Sequence, residues 1–235
     1  MNNPEGNPTG PRNFEAFTYA NVLRPIWISD VTILGGYLGT DVVIPLIDRH
    51  LRSGGFDSGS FGLGDIFGEG TVSWHPKQSD LCIGAGEWVP TGDSAPRPTT
   101  RAGLGYWTTM LTFGGTWYMD AAKTWSISAL NRYEINTEQR DTDTTTGNAW
   151  TLEWGLGKAI TKLVTLSAVG YYQAKVTGDS GAHPQPLNRV AAVGPEVDLA
   201  FRPQTLFLSL RYEYEFVSEN RAQGQTVSFV VTKRF

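Results

Sequence analysis

The stretch LFLSLRYEYEF, Leu206–Phe216, alternates strictly: Leu206, Leu208, Leu210, Tyr212, Tyr214 and Phe216 on one side, Phe207, Ser209, Arg211, Glu213 and Glu215 on the other. A two-residue period is the mark of a β-strand with one apolar face. In a soluble sheet the apolar face would meet a protein core. In an outer-membrane barrel it meets lipid, and the charged face lines the lumen.

The same alternation recurs along the chain. VTLSAVGYYQAKV sets Val164, Leu166, Ala168 and Tyr172 against Thr165, Ser167, Tyr171, Gln173 and Lys175. AWTLEWGLGK sets Trp150, Leu152, Trp154 and Leu156 against Thr151 and Glu153. SISALNRYEINTE places Ser126, Ser128, Arg132, Glu134 and Asn136 opposite Ile127, Ala129, Tyr133 and Ile135. Asp65, Glu69, Thr71 and Ser73 fall together, as do Glu196 and Asp198. No segment carries a 3.6-residue period, so the chain reads as all-β. Strands are expected at 14–28, 31–47, 60–75, 79–90, 103–119, 124–139, 147–160, 162–177, 188–202, 205–218 and 225–235, with the first two weakly bounded.

The connections alternate in length. Tight ones lie near Pro76, Ala121, Thr161 and Pro203; longer polar ones span Asp48–Ser60, Thr91–Ala102, Arg140–Gly147 and Gly178–Asn188, with a shorter one at Ser218–Gln225. Short turns at one end and long loops at the other fit a transmembrane up-and-down antiparallel β-barrel, and many strands exceed the length usual in soluble sheets. A single barrel domain over 1–235 is expected, placed in the bacterial outer membrane and bounded by its lipid.

Composition agrees without deciding. The 235 residues are 40% hydrophobic, with 27 Gly, 8 Trp, 9 Tyr and 11 Phe. No run approaches the about 18 to 20 apolar residues of a membrane helix. A net charge of -4 gives no footprint for nucleic acid. The one cysteine, Cys82, reads as buried filler. MNNPEGNPTGPRN has neither the basic start nor the apolar stretch of an export signal. With eleven strands visible and even counts the bacterial rule, residues 1–13 are expected to be an extracellular loop. The signal peptide and a first strand are expected to precede it, making twelve strands in all.

The end of the chain, VSFVVTKRF, places Val227, Phe229, Val231 and terminal Phe235 on one face. It resembles the signal read by the outer-membrane assembly machinery, a partner expected to engage Phe235; Lys233 departs from that pattern. GLGD (Gly62–Asp65), PTGD (Pro90–Asp93), LGYW (Leu104–Trp107), GDSG (Gly178–Gly181), NRVAAVGPEV (Asn188–Val197), LRYEYEF (Leu210–Phe216) and ENRAQG (Glu219–Gly224), in this order, together with Tyr19–Leu46, resemble the outer-membrane family of the MetA-pathway of phenol degradation, described as transporters. The resemblance covers nearly the whole chain and implies a barrel without enzyme chemistry that takes up small hydrophobic or aromatic solutes.

Motifs for catalysis are sparse. His50 and His183 fall in long loops and His75 at a tight turn, so they do not share a metal site. His75 is near Ser73, but no G-x-S-x-G accompanies it and no Ser–His–carboxylate set is expected at one rim. GFDSGSFGLGDIFGEG matches neither phosphate-binding glycine pattern. Asp141 and Asp143 suggest calcium ligands but lack EF-hand spacing, and a solvated loop is the simpler reading. No cofactor and no metal are expected.

The informative residues are the charges between the apolar positions: Asp65, Glu69, Arg132, Glu134, Glu153, Lys175, Glu196, Asp198, Arg211, Glu213 and Glu215. An Arg or Lys facing lipid at midplane costs about 2 to 4 kcal/mol, so this face is expected to line the lumen. Either these residues form salt bridges that close a narrow barrel, or they border a permeation path, with Trp88 and Tyr106 near one mouth. Passive uptake is the leading expectation; a structural or plugged barrel, and then a lipid-acting hydrolase, are the alternatives.

Overall fold

The computed structural model describes residues 14–93, 100–140 and 142–235. The expected loop 1–13 and Asp141 lie outside the described residues. Among the described residues the regular structure is all strand, save one 3-10 turn at Arg202–Gln204, and no helix is long and apolar enough to cross a membrane.

The strands, in chain order, are β1 (Glu15–Leu23), β2 (Ile26–Ile33), β3 (Gly36–Ser53), β4 (Phe56–Leu63), β5 (Ile66–Trp74), β6 (Ser79–Val89), β7 (Thr108–Tyr118), β8 (Trp125–Asn136), β9 (Glu138–Gln139), β10 (Thr144–Thr145), β11 (Ala149–Ala159), β12 (Val164–Lys175), β13 (Ser180–Gly181), β14 (Arg189–Phe201), β15 (Leu206–Glu219) and β16 (Gln225–Lys233). One antiparallel sheet runs β1-β3-β5-β6-β7-β8-β11-β12-β14-β15-β16, curled into a half-barrel. That is eleven positions, the expected number. β1 and β16 end the sheet and do not pair with each other among the described residues. A small sheet of β9, β10 and β13 lies in the loops.

Two expected boundaries are corrected at the start. The first turn falls at Leu34–Gly35, not near 29–30, where both residues have positive φ as a two-residue twisted hairpin turn requires. The stretch alternates poorly because β2 carries a wide irregularity between Ile28 and Thr32, where the Ser29 hydroxyl accepts the Val31 N–H at 2.8 Å. Asp48–Ser60 is not a loop: β3 runs on to Ser53, turns at Gly54–Gly55, and returns as β4. β1 and β4 therefore flank the upper half of β3, while β2 and β5 flank its lower half.

The outer face is apolar and uncovered: Phe113 is 60% exposed and Phe229 65%, with Ile83, Leu111, Trp117, Leu166 and Leu210 also exposed. A soluble protein does not leave such a continuous apolar surface open. On the inner face, Phe67, Met110, Val169, Val190 and Ala192 are buried, all toward the loop end of their strands or near mid-strand. The opening stretch keeps its alternation to Phe216, where β15 carries one extra residue: Ala191 pairs with Val217 but Ala192 with Glu215. That bulge turns Ser218 inward, into a buried position that strict alternation would have sent outward.

Candidate functional site: the inner wall and its loop crown

The inner wall is held together across strands that are not neighbours. Tyr171 on β12 donates its hydroxyl to Glu215 on β15 at 2.8 Å, past the intervening β14. A cavity of about 490 Å³ is bordered by residues of β5, β6, β7, β8, β11, β12, β14 and β15. Ser73, Thr116, Ser126, Ser128, Thr165 and Ser167 give it a hydroxyl lining, and Glu153, Glu196, Asp198 and Arg211 add the charges. Its lining extends to the tight-turn end at His75 and Asp80. Cys82 borders it too, half-buried rather than packed away.

The eleven charged side chains divide by height. Toward mid-barrel, Arg132 pairs with Glu153, and Arg211 donates to Glu196 at 2.5 Å from the opposite register position. Glu69 and Glu213 are buried at 7% and 6% exposure, and each keeps one oxygen without a protein partner. Glu69 lies over Gly84, whose missing side chain makes the room: a Cβ there would come within 2.8 Å of the carboxylate. Glu134 and Asp198 have no ion-pair partner among the described residues. Sequence reasoning missed a further member, Asp41, buried on β3 and bound by Arg24 at the β1–β2 break. Its strand alternates too weakly in sequence to assign a face.

The other three, Asp65, Lys175 and Glu215, serve the loop end. Asp65 accepts the backbone N–H groups of Gly92 at 3.0 Å and Leu104 at 2.7 Å, so GLGD, PTGD and LGYW converge on one carboxylate. Gly92 and Gly103 touch so closely that a side chain on either would strike the other's backbone. Lys175 donates to Asp179 of GDSG at 2.7 Å, and Asp179 also accepts the Gly147 and Gln185 N–H groups at 2.8 and 2.9 Å. Burial pushes the Asp179 carboxyl up; these three donors outweigh it and hold it below the ordinary carboxylate value. Glu215 takes the Gly224 N–H at 2.6 Å, and Arg221 of ENRAQG folds in beside it.

These contacts join into a crown. Arg49 on β3 donates to the Arg101 carbonyl at 3.2 Å; Arg140 N–H reaches the Gly105 carbonyl at 2.9 Å; β10 pairs with β13; and Asn220 donates to the Leu187 carbonyl at 2.7 Å. Every loop-end connection is thus bonded to the next. Tyr106 sits within this crown, and burial raises its hydroxyl above the ordinary tyrosine value. Trp88 packs against Phe67 at 4.8 Å between ring centroids. Asp143 turns at positive φ and gives its carbonyl to Ala182.

One expectation is overturned at the tight-turn end. The Ser73 hydroxyl lies 3.3 Å from His75 Nε2, His75 Nδ1 lies 2.8 Å from Asp80, and Tyr118 donates to the second Asp80 oxygen at 2.6 Å. A Ser–His–carboxylate set therefore does stand at one rim. It escaped sequence reasoning because Asp80 comes from β6, across the turn. His50 instead pairs with Asp48 on the β3–β4 hairpin at 3.0 Å. Lys233 also has a local explanation: its ammonium binds the Gln204 carbonyl and the Thr205 hydroxyl at 3.0 Å, closing the β14–β15 turn.

The model of the family of the MetA-pathway of phenol degradation matches residues 1–230. No curated protein matches the chain. The motifs that carry the family resemblance are the ones that staple the crown and build the inner wall, and the match spans nearly the whole sequence: the chain belongs to the family of the MetA-pathway of phenol degradation.

Proposed function

We propose that the protein is an outer-membrane channel for passive uptake of small hydrophobic or aromatic compounds. Transport is diffusion along the inner wall, with no covalent step, cofactor or metal. The observation that carries the reading is the two-sidedness of the sheet: apolar side chains uncovered outside, a hydroxyl- and charge-lined cavity of about 490 Å³ inside. The family name supplies the solute class. The test is uptake of labelled phenol and labelled arabinose by Gram-negative cells stripped of their general porins, with and without this protein. Faster phenol entry alone supports the reading. Equal gains for both make it a general pore, and no gain for either favours a structural or plugged barrel.

A second reading, hydrolysis, has the Ser73–His75–Asp80 geometry behind it. It ranks lower because Ser73 and the β6 residue opposite it, Cys82, are paired into the sheet on both sides, so the strand backbone beside Ser73 offers no pair of free N–H donors to an oxyanion among the described residues. Hydrolysis of a p-nitrophenyl ester that disappears in Ser73→Ala would put this reading first.

A further inference from the structure

The inner wall carries more unpaired negative than positive charge. Arg24 is matched by Asp41, Arg132 by Glu153, and Arg211 by Glu196. Glu69, Glu134, Asp198 and Glu213 remain with no ion-pair partner among the described residues. An acidic excess alone would be a weak argument. The independent observation is that Glu69 and Glu213 are each more than nine-tenths buried, face the interior, and keep an oxygen with no protein partner. Thr112 Oγ1, Asp41 Oδ1 and Arg132 Nε on the same wall are also unpartnered. Buried polar atoms are nearly always satisfied, by protein or by ordered water, so these positions mark a hydrated interior. Gly84 strengthens the case, because a glycine there keeps the wall clear for the Glu69 carboxylate.

We propose that Glu69 and Glu213 make the barrel interior an anion-rejecting filter, which admits neutral and cationic solutes and turns back carboxylates. The inference rests on the channel reading. A low-dielectric passage with a net excess of one sign of charge biases what enters, and an acidic excess favours cations in channels generally. A neutral phenol, whose hydroxyl ionises like that of tyrosine only near pH 10, meets no electrostatic barrier at neutral pH. An aromatic carboxylate of the same size does.

The test is the reversal potential of the protein in planar lipid bilayers under a tenfold KCl gradient, with insertion confirmed by heat-modifiable migration on a gel. The expected result is severalfold preference for potassium over chloride, falling toward parity in Glu69→Gln/Glu213→Gln. Uptake of benzoate against benzyl alcohol should show the same dependence, with benzoate gaining in the double variant. Chloride preference, a reversal potential unmoved by the substitutions, or inserted protein that conducts nothing would overturn the inference. Glu213→Gln alone, which leaves the Gly84 seat untouched, separates a filter effect from a folding defect. Ion selectivity with no aromatic uptake would sink the solute assignment and leave the filter standing.

Discussion

Single carboxylates do two distinct jobs in this barrel, and each is separable by substitution. Asp65→Ala strips two backbone N–H groups of their acceptor. Each orphaned donor costs about 1 to 3 kcal/mol, felt locally, so trypsin should cut at Arg101 several times faster while the sheet's circular dichroism stays unchanged. Asp179 makes a pH prediction. Its folded value lies below the ordinary 3.8, so its stabilisation is complete above about 3.8 and is lost as pH falls through the lower folded value. Hydrogen-exchange protection factors for residues 176–188 should hold from neutrality down to about 3.8 and fall progressively below it. Asp179→Asn should remove the step and loosen the loop even at neutral pH, because Lys175 is left buried beside a neutral partner.

Among the elements, β14 and β15 approach each other closely at Gly194. Gly194 lies where any Cβ would overlap the Tyr212 carbonyl oxygen, so Gly194→Ala forces the two strands apart. The cost should exceed the about 1 to 3 kcal/mol of ordinary overpacking, read as a lowered unfolding temperature in detergent. This pair also shows how far the sequence could be read. The alternation of Leu206–Phe216 gave the facing of Arg211, Glu213 and Glu215 directly, because a two-residue period maps onto two faces without reference to anything distant. The bulge at Phe216 was invisible, since an extra residue leaves composition untouched and only changes which partner each residue meets. The β3–β4 hairpin was missed for a similar reason: Asp48, Arg49, His50 and Arg52 read as a polar loop, yet they stand above the apolar band, where a strand has no need to alternate. The inner charges were legible as a face; their pairing, and the Asp80 that completes the set with Ser73 and His75, depended on register across turns.

For the molecule as a whole, the uncovered apolar wall predicts that folding needs an amphiphile. Refolding into detergent or lipid should give a β spectrum and heat-modifiable migration, whereas dilution into plain buffer should give precipitate; a soluble, folded monomer in buffer would contradict the membrane assignment. Phe113→Arg on that wall should cost about 2 to 4 kcal/mol if it lies near midplane, while Ser126→Arg on the opposite face should be far milder in stability and should instead obstruct the cavity. The crown has a consequence for recognition from outside. Its described surface is assembled from the β3–β4 hairpin and the loop residues 90–93, 100–107, 137–140, 142–148, 176–188 and 220–224, tied loop to loop by hydrogen bonds. Antibodies raised against the folded barrel would then see composite epitopes, and peptides copied from any one loop would compete for them poorly.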